Sequence, residues 1–101
     1  MIKHNQPFFD QKELQAAKKI LSLGLVSQGL EVSKFETDLC KFFGLPKGHA
    51  AVVSSGSAAL FLALWSLNAK NKRVGIPVYS CAALRNATGM LGSKSVFLDC
   101  D

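Results

Sequence analysis

The stretch that most constrains this chain is Ala50-Ala51-Val52-Val53-Ser54-Ser55-Gly56-Ser57-Ala58-Ala59-Leu60. Its opening run, 50–53, is small and β-branched, which predicts a short strand covered on both faces. Residues 57–68 have almost no polar face, which predicts a helix that needs cover all round. Between them sits Ser54-Ser55-Gly56-Ser57. A helix start leaves backbone N–H groups without intrahelical acceptors and carries a partial positive charge. Gly56 lets a bulky anion approach the backbone, and the three serines add hydroxyl donors. That is the chemistry of a phosphate cradle. On spacing alone, a plain strand-to-helix turn with a capping serine explains the same residues equally well.

Several better-known phosphate and nucleophile motifs are excluded. The G-x-x-x-x-G-K signature of a P-loop is absent, as is the G-x-G-x-x-G dinucleotide fingerprint. The glycines of a nucleophile elbow are missing, because Ser55 and Ala59 flank Ser57 at those positions. No histidine follows His49, so a downstream triad base is lacking. His4 and His49 have no metal-ligand spacing to any Cys, Asp or Glu cluster, and no metal site is expected.

Taken in order, residues 1–9 look irregular. Asp10 and Glu13 form a capping-box pattern that opens a helix, with Leu14, Ala17, Ile20 and Leu21 as its apolar stripe and Gly24 as its stop. Ser27-Gln28-Gly29 is a loop. A second amphipathic helix is expected from about Glu31 to Phe43, with Val32, Phe35, Leu39 and Phe42 turned inward. Beyond the strand and helix already described, Arg73–Ile76 reads as a strand closed by Pro77. Ser80 is the expected cap of a helix through Leu91, ended by Gly92, and Ser95–Leu98 is a third strand. Strand, helix, strand, helix, strand at this spacing implies crossovers and a parallel sheet. The carboxyl ends of its strands, at Ser54, Pro77 and Asp99, then share one edge, where open α/β sheets bind ligands. The expected organisation is a helical segment over 1–48 and the opening of an α/β domain over 49–101, with the leading helices outside the sheet.

Composition narrows the function class. The chain has 101 residues, of which 49% are hydrophobic. Segments 50–67 and 74–98 are apolar enough to want more cover than a domain this small supplies, so a truncated or self-associating chain, such as a homo-oligomer, is expected. Formal net charge is +5. The basic residues are spread, with Lys70, Lys72 and Arg73 in one loop, and aromatics do not interleave with them; a nucleic-acid partner is not expected. A mildly basic surface does suit an anionic small molecule. Three cysteines, Cys40, Cys81 and Cys100, without C-x-x-C and without an apolar leader, point to reduced thiols in the cytoplasm. No run is long and apolar enough to span a membrane.

Three segments carry a resemblance. They are His49 to Leu60 with its S-G-S-A-A-L turn, Ile76 to Asp101 with a Pro77-Val78-Tyr79-Ser80 helix approach and a Val96-Phe97-Leu98-Asp99-Cys100-Asp101 strand end, and Ser27-Gln28-Gly29 with Phe35-Glu36. Together they resemble the DegT/DnrJ/StrS family of sugar aminotransferases, over nearly the whole chain but only about the first quarter of the family's length. The resemblance implies the aspartate-aminotransferase type of α/β fold, with parallel strands and flanking helices, and pyridoxal 5′-phosphate as cofactor. It implies transfer of an amino group, usually from glutamate, to a keto group of a nucleotide-linked sugar. Gly56, Ser57 and Ala58 would hold the cofactor phosphate, and Cys81 would lie beside the ring, where the family often has an aromatic residue. Ser27 and Gln28 would lie near the substrate. Ser95 stands where the family usually has proline.

The chemistry needs a lysine to form a Schiff base with the cofactor aldehyde. Lys70 and Lys72 follow a helix of about a dozen residues, placing them roughly 15–20 Å from its start. Lys94 enters a strand at the wrong edge. The resemblance puts the lysine, and the acid that pairs with the ring nitrogen, in later sequence. The expectation is therefore an N-terminal portion that supplies phosphate contacts and no catalytic residue, inactive by itself. Two alternatives remain: a non-catalytic α/β segment that binds a phosphorylated ligand or self-associates through uncovered sheet, and an inactive truncated product.

Overall fold

A computed structural model describes residues 5–99; the readings made above on His4, Cys100 and Asp101 lie outside the described residues. The chain divides into two units, Met1–Ala50 and Ala51–Asp101.

The first unit holds helices α1 (Gln11–Ser22) and α2 (Leu30–Phe42). Helix α1 opens on the expected capping box. The Asp10 carboxylate accepts from the Lys12 N–H at 2.6 Å, and the Glu13 carboxylate accepts from the Asp10 N–H at 2.8 Å. The bond from Lys12, with the Glu13 side chain next in weight, holds the Asp10 carboxyl below its ordinary range. Past the helix, Gly24 adopts φ 67°, the left-handed conformation that a side chain resists and that lets the chain leave the helix. Helix α2 starts from Gly29 without a side-chain cap.

The apolar stripes of this unit differ from expectation. Leu14 and Leu21 of α1 and Phe35 and Phe42 of α2 are exposed, and Cys40 is the buried position. The two helices do not pack on one another. A stripe is buried only where another element lies across it, and within this unit none does.

The second unit carries helix α3 (Gly56–Ser66), strand β1 (Arg73–Pro77), helix α4 (Ala82–Met90) and strand β2 (Lys94–Leu98). The strands pair in parallel, from Arg73 opposite Lys94 to Pro77 opposite Leu98. The Val78 N–H carries the ladder one step further by donating to the Leu98 carbonyl at 2.9 Å. Parallel neighbours need a crossover, and α4 supplies it. Helix α3 packs on α4, and α4 packs on both strands.

The core of the unit is Ile76, Ala87, Leu91 and Ala69 around one buried hydroxyl, Thr88, at 1% exposure. That hydroxyl is fully engaged. Thr88 Oγ1 donates to the Arg85 carbonyl at 2.8 Å and lies 2.6 Å from Ser95 Oγ, so the proton between the hydroxyls belongs to Ser95. Ser95 thus ties β2 to α4.

Two expectations are corrected here. Residues 50–53 form no strand; the described sheet has two strands, and 51–53 run as irregular backbone into the turn. A β-branched run becomes a strand only when a neighbouring segment lines up a ladder beside it, and β1 and β2 pair with each other. Ser80 does not cap α4. Its hydroxyl donates back to the Pro77 carbonyl at 2.9 Å, and the N-cap position belongs to Cys81, which makes no side-chain cap bond.

Ile76→Ala removes a side chain that is 2% exposed and is expected to destabilise the α/β unit by about 2–4 kcal/mol. Chemical denaturation followed by circular dichroism measures it, with Leu14→Ala as a near-neutral comparison. Because the folded Asp10 pKa is depressed, its contribution to α1 is present above the unfolded carboxyl value, about 4. Helix content should therefore fall as pH is lowered through the folded value, and Asp10→Asn should flatten that dependence.

Candidate functional site

The turn before α3 is built as a helix N-terminus. Ser55 is the N-cap, in extended conformation, and its hydroxyl oxygen accepts from the Ala58 N–H at 3.2 Å. The Ser55 carbonyl accepts from the Ala59 N–H at 3.0 Å. Among the described residues no acceptor faces the N–H groups of Gly56 and Ser57, the first two positions of the helix. These are the two donors left for an anion, with the Ser57 hydroxyl beside them. Gly56 does not hold this position for its backbone freedom, since its φ is not positive. A Cβ there would stand in open space, with nothing within 4 Å. What the glycine preserves is room for something to come up to its amide.

The same end of the unit collects the start of α4. In a strand–helix–strand unit the crossover helix runs back against the strands, so Cys81 follows Pro77 closely, at the carboxyl edge of the sheet. Gly56, Ser57 and Cys81 line one shallow open cleft of about 570 Å³, with Ala59, Leu60, Ala63 and Ala83 as its apolar wall. That volume lies in the range of small-molecule sites, and the pairing of an apolar wall with a few polar groups is what such sites use. Cys81 is exposed and unbridged.

Other sequence-derived candidates fall elsewhere. Ala58 lines an adjoining apolar groove with Ser55, Ser57 and Met90, and its N–H is held by the Ser55 cap. Ser27 belongs to the first unit, in a separate cleft of about 230 Å³ with Ile20, Leu25 and Leu30; Gln28 is exposed and is not part of that lining. Lys70 and Lys72 come after the far end of α3, about 16 Å from its start at 1.5 Å per residue over 11 residues. Lys94 enters β2 at the opposite edge from Leu98.

The apolar wall went unread in the sequence, although its signal was there. Gly56, Ala59, Leu60 and Ala63 follow the i, i+3, i+4, i+7 spacing of one helix face, and three of the four are small. Among the described residues there is no grouping of His, Cys, Asp and Glu able to hold a metal, and no helix long and apolar enough to cross a membrane.

Residues 7–101 match the DegT/DnrJ/EryC1/StrS aminotransferase family. The chain belongs to that family. A UDP-4-amino-4,6-dideoxy-N-acetyl-beta-L-altrosamine transaminase of Campylobacter jejuni is 34% identical over 98% of this chain. A dTDP-4-dehydro-2,3,6-trideoxy-D-glucose 4-aminotransferase of Saccharopolyspora spinosa is 29% identical over 100% of this chain. The chain spans 26% of the length of either relative. Among solved structures, the aminotransferase TlmJ of Streptoalloteichus hindustanus superposes with a TM-score of 0.86 at 28% identity, covering 100% of this chain and 28% of TlmJ. A variant of ColD superposes at 0.77 with 24% identity and shows the fold alone. The family is one of pyridoxal-phosphate-dependent aminotransferases.

Ser55→Ala removes the α3 cap and is expected to destabilise the α/β unit by about 1 kcal/mol. Ser80→Ala, which leaves that cap intact, should cost less; thermal unfolding of the two variants makes the comparison.

Proposed function

We propose that this chain is the N-terminal, phosphate-holding portion of a pyridoxal-phosphate-dependent aminotransferase acting on nucleotide-linked keto sugars. The observation that supports this is the convergence of Gly56, Ser57 and Cys81 on one cleft at the carboxyl edge of a parallel strand pair. Bound there, the cofactor supplies an electron-withdrawing ring that makes amino-group transfer possible.

The chain's own residues bind and orient. The N–H groups of Gly56 and Ser57 and the Ser57 hydroxyl donate to the phosphate, helped by the positive end of α3. The Ala58 N–H would join them where the phosphate competes successfully with the 3.2 Å bond that this N–H donates to Ser55 Oγ. Cys81 and Ala83 would contact the ring, and Ala59, Leu60 and Ala63 line the same cleft as an apolar wall that would keep water from it. The Cys81 thiol offers a smaller contact area than an aromatic ring, so phosphate contacts carry a larger share of retention. Ser27 and Gln28 would contact the nucleotide-linked sugar, and an amino donor, glutamate in the usual case, would serve the other half-reaction. The lysine that holds the cofactor covalently is supplied from outside residues 1–101. The exposed apolar side chains of Leu62 and Trp65 on α3 favour burial against further protein, including a second copy of the chain.

The test is cofactor binding by this chain. In a Cys100→Ser background, pyridoxal phosphate should slow maleimide labelling of exposed Cys81 while buried Cys40 stays unreactive until unfolding. Ser57→Ala should weaken that protection about tenfold, the loss of one charge-assisted hydrogen bond. Borohydride should fix no cofactor to Lys70, Lys72 or Lys94, and amino transfer should be absent. Labelling of Cys81 indifferent to pyridoxal phosphate at millimolar concentration would remove the reading.

A further inference from the structure

The other edge of the same strand pair has a chemistry of its own. Within the α/β unit the cations are Lys70, Lys72, Arg73, Arg85 and Lys94. All but Arg85 converge on the amino end of the sheet. The ladder sets Arg73 directly opposite Lys94. The Lys94 N–H donates to the Lys72 carbonyl at 2.9 Å, which ties a third cation to the same spot. Ser93 Oγ donates to the Ala69 carbonyl at 2.8 Å and fastens the loop that carries Lys70. All four side chains belong to exposed residues.

Like charges directly opposite one another on paired strands are unfavourable. Among the described residues of this unit, no acid stands beside them in the ladder. The described acid of this unit, Asp99, follows the far end of β2, and five strand residues place it about 16 Å away. That exceeds the screening length of about 8 Å at physiological salt. An ion pair joins Lys41 to Asp38 in the other unit. The repulsion is also concentrated: Arg73 and Lys94 sit on strands about 4.8 Å apart. A cluster that compact matches a compact multivalent anion better than an extended polymer. The fork of Arg73 can grip two phosphate oxygens at once, and the lysines act as point charges around it.

We propose that the amino edge of the β1–β2 pair, at Lys70, Lys72, Arg73 and Lys94, is a binding site for an oligophosphate group. The site stands apart from the Gly56–Ser57 turn, separated from it by the length of α3. It does not depend on whether that turn holds pyridoxal phosphate. Its phosphoanhydride chain can come from free pyrophosphate or tripolyphosphate, or from the diphosphate of a nucleotide.

The experiment is a titration of the isotopically labelled chain with tripolyphosphate, pyrophosphate, inorganic phosphate and uridine diphosphate, read from backbone amide shifts. The expected result is shifts at 69–73 and 92–95, affinity falling from tripolyphosphate to inorganic phosphate, and weakening as salt rises. Arg73→Gln with Lys94→Gln should reduce affinity at least about tenfold while leaving shifts elsewhere intact. Lys18→Gln with Lys19→Gln should change nothing. Uridine diphosphate matching pyrophosphate assigns a nucleotide as the source; a clearly weaker uridine diphosphate assigns the free anion. Shifts confined to 55–58 would overturn the proposal while supporting the cofactor cradle. A tetraglutamate peptide or a thymidine oligonucleotide binding the rim more tightly than tripolyphosphate would overturn it in favour of a polymer surface.

Discussion

The rest of the α/β unit depends on the parallel pairing of β1 with β2. Two parallel strands cannot be joined by a tight turn, so the chain must leave one edge of the pair and return to the other through a helix. That requirement points the start of α4 at the edge where β1 ends. Helix α3 lies against α4 and brings its own start to the same cleft. The cradle is therefore a consequence of strand direction. Antiparallel strands would need no crossover and would not deliver Cys81 there. The hydrogen bond from Ser95 to buried Thr88 holds the last turn of α4 to the start of β2.

Each edge of the sheet then acquires its own character. At the carboxyl edge, two N–H groups and a hydroxyl stand beside small apolar residues, a setting for an anion attached to a flat ring. At the amino edge, four cations stand with little apolar cover, a setting for charge alone. Both attract anions, but by different means: oriented backbone dipoles in one case and mobile side-chain charge in the other. The first is nearly independent of salt at contact distance and selective for shape. The second is salt-sensitive and selective for valence.

Much of this was legible from local signals. The Asp10–Glu13 box, the stop at Gly24, the boundaries of β1 and β2 within a residue and their parallel direction all follow from short-range chemistry and spacing. Where the reading failed, a partner was the missing information. Val52 and Val53 favour a strand, yet the described sheet is built from β1 and β2. Leu14, Leu21, Phe35 and Phe42 are spaced for burial, yet nothing in their unit lies across them. Ser80 has the right chemistry for a cap, but its hydroxyl found the Pro77 carbonyl first. In the turn itself the sequence offered three serines for the capping role, and Ser55 took it, which left Gly56 and Ser57 with their amides available.

By itself the sequence determined the four helices, the two paired strands, their order and the family to which the chain belongs. Those properties are carried by residues within a few positions of one another. The tertiary structure alone decided that Cys81 stands beside Gly56, that Ser95 bonds to Thr88 and that Arg73 faces Lys94. Such meetings join residues 7 to 25 positions apart. They depend on strand register and on the face by which one helix rests on another, which no local pattern encodes.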